Sequence, residues 1–153
     1  MMLPPRIILF VLALAVFGLC AGPVQAQDDI ADHRQCAECG MDRKAYGFSR
    51  MLVVYSADKE VGVCSLHCAV AAMNRQQEQP VQALRVADRN SHELIPVESA
   101  TWVLGGKKRG VMTRRAKWAF SEKSAAEIFT KEYGGELVSW EEALAAARAD
   151  DQP

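Results

Sequence analysis

No apolar run in these 153 residues is long enough to cross a bilayer comfortably. The longest, residues 7 to 19, falls short of the roughly 20 residues a spanning helix needs. Nor does charge of one sign prevail. The 18 Lys and Arg against 19 Asp and Glu leave a net charge of −1, which excludes the strongly basic face that a nucleic-acid partner requires. The local exceptions, Lys107-Lys108-Arg109 and Arg114-Arg115, read as a solvated loop. Catalytic signatures are missing as well. No paired carboxylates, no nucleophile beside a base and no phosphate-cradling loop stand out, so an enzyme is not implied.

The first 26 residues read as an address. Arg6 is the positive start, residues 7 to 19 are the apolar middle, and Val24-Gln25-Ala26 offers small residues for cleavage before Gln27. Removing this signal peptide takes away Arg6 and leaves 17 basic against 19 acidic side chains. The mature protein is expected in the periplasm. Cys20 sits where a lipid-anchored cysteine would be, but Phe17-Gly18-Leu19 before it is a poor lipidation signal. A cleaved, soluble form ranks first, with a lipid-anchored form as the alternative.

Cysteine is scarce, with five residues in all, and the four beyond the leader fall into two pairs. Cys36-Ala37-Glu38-Cys39-Gly40-Met41 sets two thiols three residues apart, adds a glycine that permits a sharp turn, and follows it with a thioether. Three soft donors in six residues suit Cu(I), since zinc rarely recruits methionine. The second pair is Cys64-Ser65-Leu66-His67-Cys68, with Cys64 at a strand end and Cys68 in a first helical turn, where free amides stabilise thiolates. His67 is either a ligand or solvated. Together Cys36, Cys39, Cys64 and Cys68 make a closed four-thiolate zinc site, a second metal centre or two disulfides, and spacing alone does not choose among these. A thiol–disulfide oxidoreductase is the rival of another class. It is disfavoured because Gly40 follows the pair and no helix opens there.

Hydrophobic periodicity gives an α+β chain. Residues 27–35 are polar and unpatterned and read as a flexible lead-in. Strands are expected over 48–55, 61–64 and 81–87, with a Ser65-capped helix to about 77 that buries Leu66, Ala69, Val70 and Met73. A connecting strand over 92–97 leads to strands at 101–104, 117–120 and 136–139. A second helix capped by Ser121 has Ala125, Ile128 and Phe129 on its apolar face and ends at Gly134-Gly135; a terminal helix over 140–149 packs through Trp140 and Leu144. The pattern suggests two pseudo-repeated ββαβ units, residues 36–90 and 91–153.

Several of these features occur together in one known family. The Cys36-Ala37-Glu38-Cys39-Gly40-Met41 motif followed by Tyr46, the Trp102-Val103-Leu104-Gly105 strand, the isolated Met112, and Ala125-Ala126-Glu127-Ile128-Phe129 leading to Gly134-Gly135 and Trp140 resemble the NosL family, accessory proteins of nitrous-oxide reductase. The resemblance implies a fold of two ββαβ units over residues 36–153 and an exported copper chaperone. It also implies one Cu(I) held by Cys39, Met41 and Met112, and copper delivery to nitrous-oxide reductase or a related client. Cys64, His67 and Cys68 lie outside the pattern that carries it.

Overall fold

The computed structural model describes residues 29–56 and 59–150. The leader and Cys20 lie outside the described residues. In order, these residues form α1 (Asp29–Asp32), β1 (Met51–Ser56), β2 (Lys59–Val63), α2 (Leu66–Arg75), β3 (Ala83–Ala87), β4 (Leu94–Pro96), β5 (Thr101–Leu104), β6 (Lys117–Phe120), α3 (Lys123–Tyr133), β7 (Glu136–Val138) and α4 (Trp140–Asp150). The class is α+β, as expected. One antiparallel sheet has the order β2-β1-β3-β4 and the other β6-β5-β7. Each half thus runs strand, strand, helix, strand with its first strand central; this shared topology does not by itself make the halves copies. Among the described residues no helix is long and apolar enough to cross a membrane.

Period-two alternation along β5 and β6 divides the interior into two cores. Trp102 and Ala119, paired across the strands, face α2 and α4 and join a core with Met51, Val53, Val63, Ala69 and Val70. Val103 and Trp118 point the other way, toward Ala126 and Phe129 of α3. Trp140 stacks at 5.3 Å on Trp102, and Leu144 packs on the same core, so the terminal helix docks as its sequence pattern indicates.

Two polar devices join the parts. Asp88, almost fully buried, accepts from the Asn90 and Ser91 amides on one side and from the Ser121 amide (2.7 Å) and hydroxyl (3.0 Å) on the other. Ser121 therefore does not cap α3, as its position before the helix suggests. Its hydroxyl is committed to the Asp88 carboxylate, and Glu122 stands at the N-cap without a side-chain bond. The second device corrects the lead-in. Residues 29–32 are a helical turn, and Asp29 is buried between Arg43 (2.6 Å) and Arg50 (2.8 Å).

Two smaller differences follow from the same contacts. Strand β1 begins at Met51 rather than 48, because residues 42–50 wind through turns and Phe48 packs on Trp118 at 6.0 Å. On α3 it is Ala126 with Phe129 that is buried, whereas Ile128 is 64% exposed. The serine cap of α2 and the glycine end of α3 are as expected: Gly134, at φ +73°, donates its N–H to Thr130 O at 2.8 Å.

Burial pushes the Asp88 carboxyl up, but the amides of Ser91, Ser121 and Asn90 and the Ser121 hydroxyl more than offset this and hold it at about 2. An unfolded aspartate titrates near 3.9, so the contribution is present above about pH 4 and is lost as pH falls toward 2. Asp88→Asn should therefore lower stability at pH 7 by about 2–3 kcal/mol in urea denaturation, with the gap to wild type closing near pH 2. Equal stability at pH 7 would show that Asp88 does not strut the two halves.

Candidate metal centre

Residues 34–43 double back on themselves. Gln35 bridges to Asp42, and the Arg43 amide donates to Arg34 O at 3.0 Å. At the tip, Cys36 N–H donates to Met41 O (2.8 Å) and Gly40 N–H to Cys36 O (2.9 Å). Gly40 closes the turn at φ +76°, a left-handed conformation that glycine adopts without steric cost. The amides of Cys39 and Glu38 are aimed at the Cys36 sulfur. No helix follows the pair, so this is a metal-knuckle arrangement and not the helix-opening geometry of a redox dithiol. Ala37 N–H donates to Gly62 O at 3.0 Å and lashes the tip to β2.

The second pair sits at the corner between β2 and α2. Ser65 caps α2, its Oγ accepting the Cys68 amide at 3.4 Å, which places Cys68 in the first turn at the positive end of the helix. Ser49 Oγ donates to Cys64 O at 2.8 Å and fixes the corner from the other side.

The two pairs meet. Cys64 Sγ lies 3.5 Å from Cys39 Sγ and 3.7 Å from Cys68 Sγ, and all four sulfurs lie within 4.8 Å of one another. A tetrahedral ion with metal–sulfur bonds of about 2.3 Å sets its sulfurs roughly 3.8 Å apart. The group is therefore spaced to share one ion. All four are free thiols; Cys36, Cys64 and Cys68 are buried and Cys39 is exposed. Hydrogen bonds from the Cys64 and Cys68 thiols bring the Cys36 thiol down despite burial. The same bonds to Cys36, with burial, push Cys64 up and Cys68 up to about 12. A cation entering the group therefore has to displace the protons of Cys64 and Cys68.

Arg43 holds this geometry. It is fully buried, and its five N–H donors reach Val63 O (3.1 Å), Asp29 O (2.9 Å), His33 O (2.6 Å), Met51 O (3.0 Å) and the Asp29 carboxylate (2.6 Å). Val63 directly precedes Cys64, so one guanidinium ties the loop bearing Cys36 and Cys39 to the strand that delivers Cys64. Gly62 makes room for it: a Cβ there would stand 2.7 Å from Arg43 Nη1 and overlap His33. Neither Arg43 nor Asp29 stands out in the sequence, where a lone cation in a polar stretch looks solvated.

The other expected residues lie on the loop, on α2 and ahead of β6. Met41 is half-buried and packs on the core that contains Cys36, Cys64 and Cys68. Met112 is 45% exposed at φ +53°, in the loop before β6. Its neighbours Val111 and Thr113 line a cavity of about 10 Å³, room for one water, together with Ser65, Leu66 and His67. The loop therefore lies beside the start of α2. His67 is not in the sulfur group; it lines that cavity, with Nδ1 buried and without a hydrogen-bond partner.

The family model for NosL matches residues 27–147. Among solved structures, the crystal structure of the copper chaperone NosL from Shewanella denitrificans is similar, with a TM-score of 0.55 and 24% identity over 71% of this chain and 87% of that one; the likeness concerns the fold. Curated proteins give no match.

Removing one partner from a buried, hydrogen-bonded charge pair costs about 3–5 kcal/mol. Arg43→Leu should lower stability by that order in urea denaturation and also weaken metal retention, because the Cys39 side of the group loses its tie to Cys64. A stable variant that keeps its metal would show that the clamp is dispensable.

Proposed function

We propose, for a chain that belongs to the NosL family, that it is a copper carrier that holds Cu(I) in its sulfur centre and releases it by ligand exchange. NosL is a copper-chaperone family and not a family of enzymes. The observation that supports copper as cargo is the meeting of four free thiols with three of them shielded from water. Soft thiolates and thioethers select a soft monovalent ion over harder divalent ones.

Cys39, Met41 and Met112 are the proposed exchange ligands. Cys39 is the exposed sulfur of the group, Met41 shares its loop, and Met112 is exposed on the loop beside the start of α2. Thioethers are neutral and weakly bound, so an incoming sulfur or imidazole displaces them before the thiolates let go. The reading extends to export by the leader peptide into the periplasm, with a soluble form ranked above a lipid anchor through Cys20. It extends also to nitrous-oxide reductase or a related copper enzyme as the client.

A second reading is supported by the same distances. Four cysteines at tetrahedral spacing also suit a resident, structural Zn(II). The two readings separate on titration of the reduced protein. Copper cargo is expected to bind at about one Cu(I) per chain, with Met41→Ala and Met112→Ala each lowering affinity about tenfold or more, or 1.4 kcal/mol per tenfold. Affinity unchanged in both methionine variants removes the thioethers from the site. Zinc that copurifies at one per chain and resists exchange with Cu(I) favours the structural reading.

A further inference from the structure

The four sulfurs differ in exposure and in how their backbone is anchored. Cys36 is buried and faces the Cys39 and Glu38 amides. Cys68 is buried in the first turn of α2, its amide tied to Ser65. Cys39 differs from both. It is exposed, and next to it is Gly40, around which a Cβ would meet nothing within 4 Å, so the tip of the loop is unpacked on that side. Its sulfur already lies 3.5 Å from Cys64 Sγ, against 3.7 Å between Cys64 and Cys68.

We propose that Cys39 and Cys64 form a reversible disulfide in the metal-free protein, closing the carrier to cargo until a reductant opens it. This rests on the reading of the thiol group as the cargo site. The oxidant is a small disulfide of the glutathione class. The Cys39 thiolate attacks one of its sulfurs, a mixed disulfide forms, and one glutathione thiolate leaves. Cys64 Sγ, giving up its proton as it attacks Cys39 Sγ, then expels the second. Two protein thiols are oxidised, one disulfide is reduced to two thiols, and the two protons pass to the departing glutathione. Cys39 takes the first step because it is exposed, and Cys64 resolves it because it is adjacent. With copper on Cys39 the attacking sulfur is engaged, so the loaded carrier resists and only the empty one locks.

The test treats purified metal-free protein with excess oxidised glutathione. Four reactive thiols should fall to two. Cleavage after Glu38, which separates Cys36 from Cys39, followed by fragmentation of the linked peptides, should map the bond to Cys39 and Cys64. Cu(I) uptake should be lost and should return with dithiothreitol. Cys39→Ser should abolish the intramolecular bond, whereas Cys68→Ser should keep it; mapping in the wild-type protein gives the answer without any variant. A bond mapped to Cys64–Cys68 or Cys36–Cys39, or no loss of thiols, overturns the proposal. Equal oxidation of loaded and empty protein, with the bond still at Cys39–Cys64, would overturn copper's place on Cys39 and leave the disulfide standing.

Discussion

One buried guanidinium fixes the relation between the two halves of the sulfur centre. Arg43 has no water to turn to, so each of its five donors must find an acceptor, and they do so on α1, β1, β2 and the segment between α1 and the loop. A shift of the loop relative to β2 would leave a charged donor unmet in the interior, at a cost of several kcal/mol. Asp29 closes the arrangement by bridging Arg43 to Arg50, which itself donates to Gly47 O and His92 O. Burial pushes the Asp29 carboxyl up, yet its bonds to Arg50 and Arg43 bring it below the usual range, so it stays charged at neutral pH.

This rigidity has an evident chemical use. A knuckle and a helix N-terminus each favour thiolates by pointing backbone N–H groups or a helix dipole at sulfur. Neither alone provides a closed shell. Held together by Arg43 and by the Ala37–Gly62 hydrogen bond, they bring sulfur from two directions to one point. The gradient from three buried cysteines to one exposed cysteine gives that point a side shielded from water and a side open to it. The loop that presents Met112 belongs to the second half of the chain and lies beside the start of α2, the helix that carries Cys68.

Much of this was legible in residue pattern. The sulfur motifs, the serine cap of α2, the glycine stop of α3, and strands β5 and β6 all rest on local chemistry, where sequence speaks directly. The distance between the two cysteine pairs was not legible. It depends on Arg43 and Gly62, residues 19 positions apart in sequence whose complementarity appears only when β2 lies beside the loop. Ser121 misled for a related reason: a serine before a helix is a good cap until a buried carboxylate from the other half claims its hydroxyl. The stretch 27–35 reads as free because the partners of Asp29, Arg43 and Arg50, stand 14 and 21 positions further along the chain.

The central claim, that sulfur from both pairs surrounds one monovalent copper ion, is tested most directly by X-ray absorption at the copper edge of the Cu(I)-loaded protein. The expected first shell is sulfur alone, with three or four scatterers. A shell containing nitrogen or oxygen would place the ion outside the four-cysteine group and contradict the account.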